Sequence, residues 1–193
     1  MTLVPLCKQD LHIHTIYSSG DNAVVKEQTI DLIAKIRHAE IIGISDHFEY
    51  LEGPVFQRYA DEVKAFNFKL GTEIDGHHKV DVARQYNFDY YIYHCWDSEK
   101  DYKALDRLLS TGKPVIIAHP YAVGTDLNKV SKDCLVEINN RYVYRYDWKK
   151  YFEHFIDKFK FVLSSDAHQP NWLNQNISRY VAMDLGIEET ILF

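Results

Sequence analysis

The chain has 193 residues, of which 46% are hydrophobic, and this suits a single domain, over residues 1–193, with a proper core. Its formal charge of -6 makes nucleic acid an unfavourable partner and gives no attraction to an anionic membrane, and its three cysteines are too widely spaced for a disulfide framework or a zinc motif. No signal-peptide pattern and no apolar run of about 18 residues is present, so we expect a cytoplasmic protein that does not enter a membrane. The oligomeric state is left open.

Short apolar segments rich in β-prone residues alternate with longer, helix-like segments along the chain. This alternation is typical of βα units around a parallel sheet. Seven strands are predicted, in DLHIH (10–14), EIIGISDH (40–47), FKLGTEID (68–75), FDYYIYH (88–94), KPVIIAHP (113–120), CLVEINN (134–140) and FKFVLSSDAH (159–168). Apolar stripes predict helices over Lys26 to Ala39 and over Asp101 to Ser110, with Gly112 as a stop signal after the second.

The first predicted strand opens the stretch DLHIHTIYSSGD, residues 10–21. In an extended strand, alternate side chains point to the same side, so Asp10, His12 and His14 are expected on one face. Two imidazoles and a carboxylate on one face make a poor core and a suitable metal site. The alternative is a half-exposed edge strand.

The later strands also end in polar residues that can bind metal. In parallel α/β folds the loops that follow the strands converge at the carboxyl edge of the sheet, and chemistry gathers there. The polar strand ends are Asp46 and His47, Glu73, His94, His119, Glu137 and Asn139, and Asp166 and His168. The remaining histidines, His38, His77, His78 and His154, are predicted on helix-like or loop segments. A convergent His/Asp/Glu cluster without cysteine indicates a catalytic metal site with nitrogen and oxygen ligands.

Each of these residues also has a purely structural interpretation. Asp46 could cap the helix that follows it, His119-Pro120 could form a turn, and His94 could be a hydrogen-bonded structural residue. The shared position of the whole set at one edge of the sheet favours the metal site. The ligand types do not distinguish Zn, Mn and Fe, since all three accept this mixture of nitrogen and oxygen.

The motifs DLHIH, SDH, GTE, YH, AHP, EIN and SDAH, in this order and at these spacings, resemble those of the polymerase and histidinol phosphatase (PHP) superfamily over nearly the whole chain. The resemblance implies a distorted seven-stranded (βα) barrel, similar to a TIM barrel, with three divalent metal ions at its carboxyl face and phosphoester hydrolysis as its reaction. The metal ligands that it implies are His12, His14, His47, Glu73, His94, His119, Asp166 and His168. Glu73 would bridge two ions.

A ninth ligand departs from the pattern of the superfamily. Many relatives carry an acidic residue or a histidine five or six positions after the second histidine of the first motif, where this chain has Ser19 and Gly20. Asp21 follows one position later, and we expect it to complete the ligand set after the small-residue turn. A helix cap for the next segment is the alternative role for Asp21.

The expected function is hydrolysis of a small phosphomonoester by a hydroxide that three divalent ions (Zn, Mn or Fe) activate, without a protein nucleophile. Asp10 is expected to orient a ligand histidine. Histidinol phosphate is one substrate that the resemblance suggests, and nothing in the sequence selects it. The alternatives are an amidohydrolase-like C–N hydrolase, which typically needs a lysine or glutamate on a middle strand, a non-catalytic PHP module that serves as a scaffold, and an exonuclease.

The segment RYVYRYDWKK, residues 141–150, interleaves arginine with tyrosine. Such a segment could stack bases and hold phosphates, but the acidic net charge favours an amphipathic passage from loop to helix. Arg141 or Arg145 could clamp one phosphate, because a guanidinium offers two parallel donors. Arg179 is a weaker candidate. His77 and His78 could border the cleft or form an exposed pair.

Overall fold

The structure is a computed structural model, and it describes residues 6–193. The strands are β1 (Cys7–Asp10), β2 (Ala39–Ile44), β3 (Lys69–Asp75), β4 (Tyr90–His94), β5 (Val115–Ile117), β6 (Leu135–Asn139) and β7 (Lys160–Ser164). The α-helices are α1 (Ile30–Ile36), α2 (Phe48–Leu51), α3 (Pro54–Ala65), α4 (Val80–Ala83), α5 (Glu99–Leu109), α6 (Pro120–Val123), α7 (Trp148–Phe152) and α8 (Asn176–Leu185). Short 3-10 helices cover His77–Lys79, Val143–Arg145 and Pro170–Trp172.

The seven strands form one sheet in chain order, and every neighbouring pair is parallel. The last strand returns to the first: Ile13 and Ala167, just beyond β1 and β7, form a parallel bridge, and the His14 backbone N–H donates to the Ala167 carbonyl at 2.9 Å. The sheet is therefore nearly closed into a barrel with helices between its strands. The predicted α/β fold with seven parallel strands is confirmed.

The barrel has two apolar layers, because successive side chains of a strand point to opposite faces. Along β4, Tyr90 and Ile92 belong to a small cluster on the barrel axis, whereas Tyr91 and Tyr93 belong to the large core between the sheet and the helices. The axial cluster comprises Leu11, Tyr90, Ile92, Ile116, Ala118, Leu135 and Val162. The barrel interior is thus a packed core, and the polar strand ends lie above it.

Tyr90 spans this interior. Its hydroxyl donates to the Leu11 carbonyl across the barrel at 2.5 Å. A Cβ at Gly43 or at Gly71 would collide with the Tyr90 ring, so only glycine leaves room for it. Two glycines in neighbouring strands therefore make space for one large axial side chain.

The segment 189–193 covers the amino end of the barrel. The Thr190 N–H donates to the Phe161 carbonyl at 2.7 Å. The Gln9 amide donates to the Thr190 carbonyl at 2.5 Å and accepts from the Leu192 N–H at 3.1 Å. The ring of Phe193 lies 5.9 Å from that of Tyr90. The barrel is therefore covered at the end opposite the polar strand ends.

Several boundaries differ from those predicted. Helix α1 begins after Thr29, whose hydroxyl accepts from the Leu32 N–H at 3.2 Å, and ends where Arg37 adopts a left-handed conformation. It is therefore shorter than the predicted span from Lys26 to Ala39. The second predicted helix corresponds to α5, which Ser98 caps. Among residues 6–193, no helix is long and apolar enough to cross a membrane.

Candidate metal centre

The nine residues predicted as metal ligands lie together at the carboxyl end of the barrel. Glu73 and His94 are on β3 and β4, and the other seven come from the segments that follow β1, β2, β5 and β7. Those buried are His12, His14, Glu73, His119, Asp166 and His168, and those partly exposed are Asp21, His47 and His94. The strands end earlier than predicted, so most of these side chains project from the first loop residues.

Three groups within this cluster could hold a metal ion. They are His14 with His47 and His168, His12 with His14 and Glu73, and Glu73 with His94 and His119. Within each group the ligand atoms lie within 4.8 Å of one another. Because His14 and Glu73 each belong to two groups, the candidate ion positions are adjacent.

Glu73 lies at the middle of the cluster. Its oxygens approach five imidazoles, Oε1 facing Nε2 of His12, His94 and His119 at 3.1, 2.5 and 3.7 Å, and Oε2 facing His14 Nε2 and His47 Nδ1 at 3.2 and 3.1 Å. Oε1 is fully buried and accepts no hydrogen bond of acceptable geometry. A buried anionic oxygen needs positive charge beside it, and a bound cation would supply that charge in place of protonated imidazoles.

The imidazoles face one another through their ring nitrogens. Nε2 of His12 lies 3.0 Å from Nε2 of His14, and Nε2 of His94 lies 3.1 Å from Nε2 of His119. Nitrogen lone pairs that converge in this way are the arrangement that a transition-metal ion requires of neutral histidines. The donor set of imidazoles and carboxylates therefore fits Zn, Mn or Fe.

Asp21 joins the cluster at its outer edge. Its Oδ2 lies 2.8 Å from His168 Nε2 and 3.4 Å from His47 Nε2, while its Oδ1 accepts from the Ala23 N–H at 2.7 Å. Because Thr29 caps α1, the alternative role of Asp21 as a helix cap is wrong. The hydrogen bonds from the two imidazoles hold the pKa of Asp21 well below its usual range.

Two of the candidate ligands have strained backbones. His119 has φ 22° and Asp166 has φ 52°, and they are two of the four non-glycine residues with positive φ in the described part of the chain. Each of these backbone conformations costs about 1–3 kcal/mol, and such strain concentrates at functional sites. The Asp166 side chain is held by Asn139, whose amide donates to Oδ2 at 3.0 Å, and its Oδ1 lies 3.7 Å from His14 Nε2.

The expected role of Asp10 is wrong. Its Oδ1 accepts from the Ser165 N–H at 3.0 Å, and its Oδ2 lies 2.8 Å from His38 Nε2, so it contacts no candidate ligand. The reason is a break in strand alternation after β1, since Leu11 packs in the axial cluster and the next residue, His12, also faces the axis beside Glu73. Asp10 and His12 therefore do not share a face.

Glu137, and not Asp10, contacts a candidate ligand histidine. Its Oε1 lies 2.7 Å from His12 Nδ1 and accepts from the Ser164 hydroxyl, and its Oε2 accepts from the His119 N–H at 2.7 Å. The motif EIN marked Glu137 as a strand end, but its reach across the barrel to His12 could not be read from the sequence. Such a carboxylate fixes the tautomer and orientation of a ligand histidine.

Asp46 anchors the segment that carries Asp21. Its carboxylate accepts from the Thr15 N–H and hydroxyl, both at 2.7 Å, and from the Ser18 N–H and hydroxyl at 3.0 and 2.7 Å. Helix α2 has no side-chain cap. The interpretation of Asp46 as a helix cap is therefore wrong, and its carboxylate instead ties the end of β2 to the segment that follows the first motif.

The cluster favours ionised carboxylates and one neutral histidine. Burial would raise the pKa of Glu73, but His94 and His12 hold it well below its usual range. Burial lowers the pKa of His14, as do His168 and His47. Burial opposes protonation of His12, but Glu137 and Glu73 raise its pKa well above the usual value. Glu73 and His14 are therefore already in the protonation states that metal binding requires.

Arg141 reaches the cluster, and Arg145 does not. One nitrogen of Arg141, Nη1, lies 3.2 Å from His168 Nε2 and 3.6 Å from Asp166 Oδ1. Arg145 is exposed, and its Nε donates to the Tyr144 hydroxyl at 3.2 Å. Arg141 is therefore close enough to contact a molecule that binds at the cluster.

The other residues considered in the sequence lie away from the cluster. His77 pairs with Asp101 at 3.1 Å, and the ring of the exposed His78 lies against it, with centroids 3.9 Å apart. His154 is exposed on the outer surface. Arg179 contacts Gln175 and Glu189.

Comparison with protein-family models and with curated proteins gave no match to this chain. The resemblance to the PHP superfamily therefore rests on the motifs alone.

Proposed function

We propose that the protein is a metal-dependent phosphoesterase of the PHP type that hydrolyses a small phosphomonoester. The observation that carries the proposal is Glu73, one buried carboxylate with five imidazoles around it and an Oε1 that accepts no hydrogen bond. A carboxylate has two oxygens and can bridge two ions, which an imidazole in its neutral form cannot do. This arrangement supports a multinuclear centre.

The number of ions in the proposal is three. Each of the three groups defined above supplies ligands for one ion, and Asp21 and Asp166 lie beside two of them. The full ligand set is His12, His14, Asp21, His47, Glu73, His94, His119, Asp166 and His168. Zn, Mn and Fe all suit this donor set.

In the proposed reaction the metal ions would activate water, and the residues of the chain position the ions and the phosphate. Bound divalent ions would offset phosphate charge and lower the pKa of a water molecule, which supplies the attacking group. The chain holds the ligands in place, since Glu137 orients His12 and Asn139 orients Asp166. Arg141 offers its guanidinium to a phosphate oxygen beside Asp166.

The fold and the strand ends support the PHP type over the alternatives. The barrel has seven parallel strands, and the motif residues lie at their carboxyl ends. Among the described residues, no lysine ends a strand, which argues against an amidohydrolase centre built on a carbamylated lysine. A non-catalytic scaffold is not expected to retain nine convergent ligand side chains.

The test is a panel of phosphomonoesters, phosphodiesters and amides, assayed with purified protein reloaded with Mn, Zn or Fe. We expect hydrolysis of phosphomonoesters that depends on the metal and is lost in Glu73→Gln. The exposed Glu188→Gln is the matched control and should retain full activity. Amide hydrolysis alone would favour the amidohydrolase alternative, and a metal-loaded protein inactive on every ester would refute the proposal.

A further inference from the structure

An alternating stack of aromatic rings and guanidinium groups lies beside the candidate centre. The Cζ of Arg141 is 5.1 Å from the ring centroid of Trp172 and 5.0 Å from that of Tyr142. The Cζ of Arg145 is 5.1 Å from the same Tyr142 ring and 5.5 Å from that of Tyr144. Two arginines are therefore held by aromatic faces, which attract cations.

One end of the stack touches the centre and the other reaches solvent. The Tyr142 ring lies 4.9 Å from that of His119, and Arg141 Nη1 lies 3.2 Å from His168 Nε2. Tyr144, at the other end, is 52% exposed. A ligand bound at the centre can therefore extend along the stack.

The two arginines differ in charge pairing. Arg141 faces Asp166 at 3.6 Å, so part of its charge is already balanced. Arg145 forms no ion pair with any carboxylate of residues 6–193, although the chain carries a net charge of -6. A guanidinium that is positioned by stacking and lacks an anionic partner is suited to bind an anionic ligand.

Both arginines line one cavity. It has a volume of about 330 Å³ and is also lined by Tyr144, Trp172 and Asn174. The aromatic rings supply apolar walls, and the two guanidiniums supply the polar contacts, a composition typical of small-molecule sites. Because Arg141 belongs both to the cavity and to the edge of the metal cluster, one ligand can contact both.

We propose that this cavity binds a second anionic group, carried by the leaving group of the substrate. The substrate class is then a phosphomonoester whose leaving group bears a carboxylate or a second phosphate. The inference rests on the proposed function for the phosphate that is cleaved. Arg145 contacts the second anion, and Tyr144 and Trp172 flank the apolar part of the leaving group.

The test compares phenyl phosphate with 3- and 4-carboxyphenyl phosphate, which differ only in the second anionic group. For the metal-loaded protein we expect kcat/KM to be about tenfold higher for at least one carboxylated ester, the effect of one charged hydrogen bond. In Arg145→Gln this ratio should fall to about one, and Arg145→Lys, which keeps the charge and loses the planar fork, should give an intermediate ratio.

Arg58→Gln is the matched control, since Arg58 also lies over a tyrosine ring, at 5.5 Å from Tyr17, but outside the cavity. It should keep the wild-type ratio. Calorimetric titration with phenylphosphonate and carboxyphenylphosphonates, which are not hydrolysed, measures the same preference without turnover. Equal binding and equal kcat/KM of all the esters would overturn this inference and leave the proposed function standing. A binding preference that Arg145→Gln removes, without turnover of any phosphomonoester, would support the anion cavity and refute the proposed function.

Discussion

Glu137 holds His12 of the first motif through a direct contact with its imidazole. Its Oε1 lies 2.7 Å from His12 Nδ1, and its Oε2 accepts from the His119 N–H. Burial would raise the pKa of Glu137, but His12 holds that pKa at about 2. Glu137→Gln removes the charge that orients and polarises His12, and we expect metal affinity to fall by about 10–100-fold. Titration with Mn or Zn measures this, with Glu188→Gln as the control. Unchanged affinity would show that His12 is positioned by packing alone.

Asp21 makes two sets of contacts that one substitution separates. Its Oδ1 accepts from the Ala23 N–H, which an asparagine oxygen can also do, whereas its Oδ2 faces His168 and His47. In Asp21→Asn the turn should persist and one ligand charge is lost, so we expect metal content to fall by about one ion per chain and turnover to fall with it. Elemental analysis gives the stoichiometry. Full metal occupancy with normal turnover in Asp21→Asn would show that Asp21 stabilises the turn and does not bind an ion.

The candidate ligands could be predicted from the sequence because parallel strands bring their carboxyl ends to one edge, whichever helices lie between them. Asp10 could not be placed correctly, because the rule of alternating faces fails where the backbone leaves the strand between Asp10 and His12. The role of Glu137 depends on a distance across the barrel. Local sequence pattern carries no information on such distances.

At the scale of elements, the connection from β1 to α1 depends on Asp46. This buried carboxylate accepts four hydrogen bonds from Thr15 and Ser18, and the Ser18 hydroxyl accepts from the His47 N–H at 3.0 Å. In Asp46→Ala the Thr15 backbone N–H and both hydroxyls lose their carboxylate acceptor, and the Ser18 N–H keeps only the Thr15 carbonyl, at 2.9 Å. We expect the free energy of unfolding to fall by about 3 kcal/mol.

Urea unfolding monitored by circular dichroism measures this loss, and Asp157→Ala, at an exposed position without a hydrogen bond, should change stability by less than about 0.5 kcal/mol. Metal content of the folded Asp46→Ala variant should fall as well, since Asp21 and His47 depend on the same connection. A loss of stability equal to that of the control would show that the turn is stable without the hydrogen bonds to Asp46.

The ends of the elements were harder to predict than their type. The apolar stripe of α1 is clear in the sequence, but Thr29 caps the helix three residues after the predicted start, and Arg37 ends it by adopting φ 47°. A hydrophobic period identifies a helix, whereas a cap depends on one local hydrogen bond. Strand β5 is similarly short, ending at Ile117, because Ala118 and His119 already belong to the loop that reaches the cluster.

At the scale of the whole molecule, the barrel separates a packed axis from a polar carboxyl end. The axial cluster and the segment 189–193 fill and cover the interior below, so the buried histidines and carboxylates are confined to one end. Alternation of strands and helices predicted the parallel sheet, and the resemblance to the PHP superfamily implied its closure into a barrel. The packing of Phe193 against Tyr90 could not be predicted, because it joins residues far apart in sequence without any periodic pattern.

The many ionisable groups at one end of the barrel would couple binding of the proposed metal ions to the release of protons. Glu73 and neighbouring carboxylates raise the pKa of His94 to about 10 against the effect of burial, and they raise that of His12 as well. In the metal-free protein these imidazoles are therefore protonated at neutral pH and help to stabilise the fold. This contribution is present below the unfolded pKa and is lost as pH rises through the folded pKa. Ions must displace those protons to bind, so lower pH favours the metal-free state.

The difference in Tm between metal-loaded and chelator-treated protein should consequently grow as pH rises from about 5.5 to about 8, because the linked binding free energy grows as proton competition weakens. Calorimetry in two buffers of different ionisation enthalpy should detect on the order of one proton released per ion at neutral pH. The metal-free protein should behave oppositely, losing the part of its stability due to His12 and His94 as pH rises. A non-zero difference in Tm that is the same at every pH would mean that ions bind without displacing an imidazole proton. No difference at any pH would mean that the cluster is an ion-pair network with no role in metal binding.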